Sequence, residues 1–222
     1  MNVLVPVGDA GSLRLSAVLI ALTMVWTPAR ETTLRVYLAR HGQTEWNREG
    51  RLQGSTDISL NDTGRRQASM LRERLNGLHF DAVYTSDLKR SRETAAIVHG
   101  TAPVYSLAGL NERRLGSFEG RTSSPEYERR RQAPDDTLDG GESPSQFLAR
   151  VNDALSGVLR RHRSGAILII GHGGTNQMIV RTLFRLSAEQ AATFNQANDD
   201  LYLCEIASGT ATRFWKLVDP AR

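Results

Sequence analysis

The sequence predicts an α/β domain, a three-layer sandwich in which helices flank a largely parallel central sheet. From residue 34 onward, short apolar runs rich in β-branched residues alternate with longer amphipathic stretches. The 222 residues are 40% apolar and 23% charged, which is ordinary globular composition and enough chain to bury a sizeable core. This composition excludes a disordered, collagen-like or low-complexity chain.

The predicted elements follow one another as repeated strand and helix units. A helix at 63–75 begins after a capping residue, either Asn61 or Thr63. Its apolar residues Met70 and Leu71 are expected to share one buried face. The other predicted elements are strands at 34–39, 82–85, 104–107 and 166–170, helices at 87–98, 125–131, 145–163 and 174–184, and a closing hairpin of 201–206 and 212–218 that turns at 208–209.

The first thirty residues differ from the rest and predict a leader, 1–30, before a single domain at 31–222. Arg14 precedes the apolar run 15–26, and small residues follow it, which is typical of a secretory signal and of an exported protein. A mis-assigned start or an extra helix on the domain is the alternative, and it predicts a cytoplasmic protein. The run is shorter than the ~20 residues that span a bilayer, so no stable membrane anchor is expected.

Arginine dominates the basic residues, since Lys89 and Lys216 are the only lysines among 28 basic side chains, and the net charge is +4. Guanidinium groups bind phosphate through paired hydrogen bonds, so a phosphate-handling enzyme and a nucleic-acid binder are both candidates. Aromatic content is only 6%, and no basic stripe is longer than 129–131, so no nucleic-acid partner is expected. The single cysteine, Cys204, excludes an intrachain disulfide and a cysteine zinc site.

Reactive side chains follow the predicted strands at the point where each strand ends. His41 comes after the first strand and His172 after strand 166–170, while Arg90 and Arg92 lie one turn beyond the second strand. Ligands of open α/β sheets bind at the carboxyl ends of the strands, so these groups are expected to converge. The glycine after each histidine is expected to let backbone approach a ligand. Structural roles are expected for the other histidines, which are His79, His99 and His162.

The chemistry of this set points to phosphoryl transfer. The sequence has no closely spaced zinc ligands, no serine nucleophile elbow, no Gly-Lys-Ser/Thr phosphate loop and no dinucleotide glycine pattern. An imidazole is largely neutral at pH 7 and still nucleophilic, so it can attack a dianionic phosphate monoester. The guanidinium groups of Arg40 and Arg90 are suited to hold the phosphoryl oxygens. No metal and no cofactor is expected.

Two neighbouring segments read Leu38-Ala39-Arg40-His41-Gly42-Gln43-Thr44-Glu45-Trp46-Asn47 and Arg51-Leu52-Gln53-Gly54. Together they resemble the signature of the histidine phosphatase superfamily, also called phosphoglycerate mutase-like. Further blocks resemble that family in the same order, at 60–68, 84–95, 110–113, 140–143 and 171–174. Glu112 and Glu142 are only 30 positions apart, which resembles the short phosphatase branch. Cofactor-dependent mutases of the family carry a long insertion there.

The resemblance implies a role for each residue that matches the motifs. His41 becomes the nucleophile that forms phosphohistidine, and Glu112 is first the general acid and then the base that activates water. His172 contributes a cation or a hydrogen-bond donor to the phosphoryl oxygens. The implied phosphate and substrate contacts are Arg40, His41, Asn47, Gln53, Gly54, Arg90, Glu112, Arg113, His172 and Gly173.

Structural interpretations stand beside these roles. Arg92 is interpreted as pairing with Glu93 or a backbone carbonyl, and Glu142 as a cap of the helix that begins near 145. The arginines at 129–131 either recognise an anionic substrate or form a solvated face that nearby aspartates balance. The triplet 175–177 is more polar than is typical of the family, so the sequence does not predict which residues form the floor of the substrate pocket.

The expected activity is metal-independent hydrolysis of phosphate monoesters through phosphohistidine, with a small phosphorylated metabolite as substrate. The region 113–139 is expected to decide specificity. Two alternatives within the family remain open, a cofactor-dependent phosphoglycerate mutase and a protein phosphatase that acts on phosphohistidine or phosphoserine. The sequence does not indicate the oligomeric state.

Overall fold

A computed structural model describes residues 3–6 and 32–218, and it alternates strands with helices. The strands in this part of the chain are β1 (Val3–Pro6), β2 (Thr33–Arg40), β3 (Ala82–Thr85), β4 (Val104–Ser106), β5 (Gly165–Gly171), β6 (Leu201–Ala207) and β7 (Thr210–Val218). The helices there are α1 (Glu45–Arg48), α2 (Asp62–Arg74), α3 (Lys89–Val98), α4 (Pro125–Arg130), α5 (Pro144–Arg161), α6 (Gly173–Phe184) and α7 (Ala188–Ala192). Short helices α1 and α7 were not predicted, because each spans at most five residues and leaves little periodic pattern.

The strands form one mixed sheet in the order β1-β7-β6-β2-β5-β3-β4. Strands β2, β5, β3 and β4 are parallel to one another. The predicted hairpin is confirmed as β6 and β7, and β6 pairs antiparallel with β2. Arg40 of β2 pairs with Gly171 of β5, and Thr85 of β3 pairs with Ile170, so these three strands end side by side. We call this edge, where β2, β3 and β5 end, the rim.

Helices cover both faces of the sheet. On β2, Val36 and Leu38 pack in a cluster with α5 and α6, whereas Tyr37 and Ala39 pack in a second cluster with α2 and α3. Strand β5 is a continuous apolar run because it is buried on both faces, as parallel strands between helical layers are. The predicted α/β sandwich is confirmed.

Helix starts are capped by side chains that the sequence offers. Asn61 accepts a backbone hydrogen bond in the first turn of α2, which decides between the two predicted caps. Ser143 caps α5, so the interpretation of Glu142 as the cap is wrong. The prediction that Met70 and Leu71 share one buried face of α2 is also wrong in part, since Leu71 is 7% exposed but Met70 is 39% exposed. Adjacent helical positions point about 100° apart, and only one of these two faces the sheet.

The apolar run of the predicted leader, 15–26, lies within residues 7–31, outside the described part of the chain, so its nature and its cleavage stay predictions. Residues 3–6, which the prediction also placed in the leader, form β1, whose backbone pairs antiparallel with β7 at one edge of the sheet. No helix within residues 32–218 is long and apolar enough to cross a membrane.

Candidate active site

The candidate active site lies at the rim. His41 and His172 each follow the last residue of a strand, and their ring centroids are 5.0 Å apart. Nε of Arg90 donates to Nδ1 of His172 at 3.2 Å, and Oε2 of Glu112 accepts from the backbone nitrogen of Gly174 at 2.9 Å. The structure therefore brings together predicted site residues from four separate segments of the chain.

His41 is buried as a neutral imidazole with one nitrogen available. Its Nδ1 lies 2.8 Å from the carbonyl oxygen of Gly42 and must carry the ring proton, because a carbonyl only accepts. Nε2 has no hydrogen-bond partner among the described residues. Burial, together with the positive charges of Arg90 and Arg40, lowers the pKa of His41 well below its usual value. The ring is thus neutral at neutral pH and keeps the Nε2 lone pair that a nucleophile needs.

The backbone around His41 is fixed by neighbouring segments. Its amide donates to the carbonyl of Gly171 at 3.0 Å, and its carbonyl accepts from Nδ2 of Asn198 at 2.7 Å. Gly42 has a structural reason to be a glycine, while its expected role in letting backbone approach a ligand stays a prediction. A Cβ atom on Gly42 would lie 2.4 Å from the carbonyl oxygen of Gly64, so the glycine is required for the close approach of α2.

Arg90 is fully buried and its guanidinium is held at all three nitrogens. Nε donates to His172, Nη1 donates to the carbonyl of Thr56 at 2.7 Å, and Nη2 donates to that of Gly54 at 2.7 Å. A guanidinium has five N–H groups, so two remain for a ligand. Burial lowers the pKa of Arg90 to about 10, which leaves the side chain cationic at neutral pH.

Arg40 offers a second buried donor at the same place. Its Nη1 donates to the carbonyl of Gln196 at 2.8 Å, whereas its buried Nε has no partner within the described residues. A Cβ atom on Gly173 would lie 3.7 Å from Cζ of Arg40, which places that backbone beside the guanidinium. Leaving a buried donor unpaired costs ~1–3 kcal/mol, and a phosphoryl oxygen would relieve this cost.

Both ring nitrogens of His172 are occupied by protein groups. Nδ1 accepts from Arg90, which is a donor only, so the ring proton lies on Nε2 and is donated to Oγ of Ser86 at 2.7 Å. Burial and the charge of Arg90 lower the pKa of His172 well below its usual value, so this ring is also neutral. Donation from His172 to a phosphoryl oxygen requires a proton on Nδ1, and this role stays a prediction.

The carboxylate of Glu112 lies against the first turn of α6. Its Oε1 accepts from the backbone nitrogen of Arg113 at 2.8 Å, and its Oε2 accepts from that of Gly174 at 2.9 Å. The first turn of a helix offers unpaired N–H groups and a partial positive charge, which suit a carboxylate. Two backbone donors therefore orient Glu112 beside the segment that carries His172.

Asn47 and Gln53 both accept hydrogen bonds from Thr44, a residue that was not predicted to belong to the site. The backbone nitrogen of Thr44 donates to Oδ1 of Asn47 at 3.1 Å, and its Oγ1 donates to Oε1 of Gln53 at 3.0 Å. Both amide oxygens are therefore engaged, while neither amide NH₂ group has an acceptor within the described residues. These donors are available to a ligand, as the predicted binding roles require.

Arg113 has a structural role in addition to its predicted substrate contact, which stays a prediction. Its side chain is buried, and its guanidinium donates to the backbone carbonyls of Glu142 at 2.7 Å, Arg131 at 2.7 Å and Asp136 at 3.2 Å. These bonds occupy every guanidinium nitrogen. Arg113 thus ties together the chain between 113 and 142.

Charged residues of the 113–142 region largely balance one another. Arg130 forms ion pairs with Asp136 and Asp139, both at 2.8 Å, and Arg131 pairs with Glu128 at 2.6 Å. This arrangement favours the solvated-face interpretation of 129–131 over recognition of an anionic substrate.

Glu142 has a structural role other than capping, and Arg92 shows neither interpreted pairing within the described residues. Glu142 forms a two-point ion pair with Arg150, whose Nη1 also donates to the carbonyl of Asn111 at 3.0 Å. This pair thereby supports the turn that carries the acid. Arg92 is exposed, and Glu93 accepts from the backbone of Leu60 at 2.8 Å, so the side chain of Glu93 serves another contact.

Glu119 is a second residue that sequence reasoning missed. It accepts from the backbone nitrogens of Ser55 at 2.9 Å and Leu115 at 3.0 Å, and from the hydroxyl of Thr56. Burial raises the pKa of Glu119, but these hydrogen bonds together hold it below its usual value. Glu119 therefore fixes the loop whose carbonyls hold Arg90. No pattern in the sequence distinguishes it from other acidic residues near the predicted acid.

Comparison with known sequences agrees with this geometry. A sequence model described as histidine phosphatase superfamily (branch 1) matches residues 36–217. The chain is 34% identical over 166 residues to "Metal-independent phosphoserine phosphatase" of Arabidopsis thaliana, which covers 69% of this chain and 70% of that protein. It is 36% identical over 179 residues to "Probable 2-carboxy-D-arabinitol-1-phosphatase" of Arabidopsis thaliana, covering 76% of this chain but only 37% of that protein. Other relatives of similar identity carry phosphoglycerate mutase names.

A solved structure shows the same fold over most of both chains. The alpha-ribazole phosphatase from Shigella flexneri superposes with a TM-score of 0.73 at 26% identity, covering 81% of this chain and 94% of that one. The match to the family extends over most of the domain and includes every segment that contributes to the rim. The chain belongs to the histidine phosphatase superfamily.

Proposed function

We propose that this protein hydrolyses phosphate monoesters through a phosphohistidine at Nε2 of His41, without a metal ion. The observation that carries the proposal is the state of His41, a neutral imidazole whose Nδ1 proton is bound to the carbonyl of Gly42 and whose Nε2 has no partner in the described part of the chain. A neutral nucleophile avoids the repulsion that an anionic one meets at a phosphate dianion. Two buried guanidinium groups, those of Arg40 and Arg90, complete the site.

The proposed reaction has two steps. Nε2 of His41 attacks phosphorus, the bond to the alcohol oxygen breaks, and protonated Glu112 gives its proton to that oxygen. Glu112 then takes a proton from water, the water oxygen attacks phosphorus, and the P–N bond breaks to release phosphate. The unpaired Nε–H of Arg40 and the two remaining N–H groups of Arg90 stabilise the charge on the transferring group.

Hydrolysis is favoured over transfer to another substrate by the short 113–142 region, which lacks the insertion expected of cofactor-dependent mutases. Relatives named as phosphatases support the same choice, whereas relatives named as phosphoglycerate mutases leave phosphoryl transfer as the alternative. The proposed substrate class is a small phosphorylated metabolite. Metal independence is supported by the name of one relative.

Turnover of p-nitrophenyl phosphate in the presence of EDTA tests the proposal. We expect activity in the wild type and in His79→Ala, which changes an exposed histidine, and none above background in His41→Ala. Wild-type activity that EDTA abolishes would replace the proposal with a metal enzyme. Isomerisation of 3-phosphoglycerate faster than hydrolysis of any monoester would replace it with a mutase.

A further inference from the structure

Ser86 is a fully buried residue that directly follows β3, and its hydroxyl lies 2.7 Å from Nε2 of His172. We propose that Ser86 is a positioning residue, which fixes His172 as its Nε2–H tautomer and thereby aims Arg90 at the phosphoryl group. The catalytic consequence rests on the proposed function, whereas the tautomer is a property of the free protein.

The hydroxyl of Ser86 is suited to accept the imidazole proton. Besides His172, it accepts a hydrogen bond from the backbone nitrogen of Leu88 at 3.2 Å. A hydroxyl oxygen has two acceptor positions, so the bond from Leu88 leaves one of them for the Nε2 proton of His172. The direction of the bond between Ser86 and His172 is set at the other side of the ring, where Nδ1 accepts from Arg90.

The tautomer of His172 decides whether Arg90 keeps its third anchor. With the proton on Nε2, Nδ1 presents a lone pair to Nε–H of Arg90 at 3.2 Å. With the proton on Nδ1, two donors would face each other and the contact would break. Arg90 would then keep only its bonds to the carbonyls of Gly54 and Thr56, so the guanidinium would be free to change its direction.

The position of Ser86 is itself fixed by its neighbours. Its backbone nitrogen donates to Oγ of Ser91 at 3.2 Å, and its carbonyl accepts from Oγ of Ser106 at 2.9 Å. Ser91 in turn donates to the carbonyl of Ile170 at the end of β5. Strands β4 and β5 and helix α3 thus hold the hydroxyl against His172, as a group that orients a functional histidine must be held.

Nitrogen NMR of the histidine-labelled wild-type protein tests the tautomer directly, with His172→Gln used to assign the resonances. We expect a neutral His172 with a protonated Nε2 and an unprotonated Nδ1 at neutral pH. A proton on Nδ1, or an imidazolium, in the free wild-type protein would overturn the proposal. This result does not depend on catalysis, so a wild type that hydrolyses no phosphomonoester would refute the proposed function and leave the tautomer standing.

Ser86→Ala tests the consequence, with Ser69→Ala as its control. Both changes remove one serine hydroxyl, but Ser69 is exposed on α2 and donates to the carbonyl of Arg65, whereas Ser86 lies against the imidazole of His172. We expect Ser86→Ala to lower kcat by ~10- to 10²-fold and to weaken inhibition by inorganic phosphate, while Ser69→Ala keeps both near wild type. Equal values of kcat and of phosphate inhibition in the two variants would overturn the proposal. If Ser86→Ala does not fold, the wild-type spectrum alone decides.

Discussion

His41 and His172 occupy equivalent places in the fold but are prepared for different chemistry. Both are buried, both follow neighbouring parallel strands, and burial with nearby arginine charge lowers the pKa of both. They differ in their partners. Within the described residues, the ring of His41 is bound through Nδ1 alone, to a carbonyl, whereas the ring of His172 is bound through both nitrogens. Hydrogen-bond partners, and not burial or charge, therefore distinguish the proposed nucleophile from its neighbour.

The largest expected difference between the two histidines is in turnover. His41→Ala removes the attacking atom and should lower kcat/KM for p-nitrophenyl phosphate by at least ~10⁴-fold. His172→Ala removes a group that orients Arg90 and should cost ~10²- to 10³-fold, the scale of a lost electrostatic contact. Steady-state kinetics on both purified variants checks this order. Equal losses in the two variants would contradict the division of roles.

Arg90 is predicted to depend on its shape as well as its charge. Arg90→Lys keeps the charge but loses the fork that bonds His172, Thr56 and Gly54, so kcat/KM should fall by ~10²-fold. Arg92→Lys is the matched control on the same helix, because Arg92 is exposed, and it should leave kcat/KM unchanged. Comparable kinetics for the two variants would show that the anchored guanidinium is not needed.

Glu112 is predicted to matter most when the leaving group is poor. Glu112→Gln cannot donate a proton, so hydrolysis of an alkyl phosphate such as glycerol phosphate should fall by ~10²-fold or more. The loss in the phosphorylation step should be smaller for p-nitrophenyl phosphate, whose leaving group needs little protonation. Single-turnover rates on both substrates with one enzyme preparation measure the ratio. A ratio unchanged from wild type would exclude Glu112 as the general acid.

A smaller effect is expected on the free energy of unfolding, and His41 and His172 should contribute to it in the same way. The pKa of each is lowered in the folded protein, so the unfolded chain binds more protons once the pH drops below about 6.5. The free energy of unfolding should therefore fall with falling pH, by up to about 1.4 kcal/mol per pH unit for each histidine. Urea unfolding at several pH values checks this slope. The double variant His41→Asn/His172→Asn should show a shallower slope, and an unchanged slope would contradict the assignment.

Much of the fold follows from sequence because its strands are short apolar runs between amphipathic helices. The predicted strand at 82–85 matches β3 at both ends, and strand 166–170 differs from β5 by one residue at each end. Strand-end position also predicted that His41, His172 and Arg90 converge. The orientation of a single helical side chain was harder, as the exposed Met70 shows, because adjacent apolar residues do not reveal which one faces the sheet.

The supporting contacts of the site were beyond sequence reasoning. Glu119 and Asn198 act through hydrogen bonds between segments far apart in the chain, and such bonds leave no local pattern. Thr44 bonds Gln53 within one loop, where no periodic pattern marks the contact. Ser86 is different, because it directly follows a strand at the rim, which is the signal that identified His41 and His172. The structural role of Arg113 was also missed, because a buried arginine can satisfy backbone carbonyls as well as a ligand.

The most direct test of the central claim is to identify the atom that carries the phosphate. The enzyme is mixed with substrate, quenched at alkaline pH within one turnover, digested, and mapped by mass spectrometry, with phosphorus NMR to distinguish the two ring nitrogens. We predict an acid-labile phosphate on the peptide that contains His41, bonded to Nε2. Phosphate on His172, on Nδ1 of His41 or on a hydroxyl side chain would contradict the account.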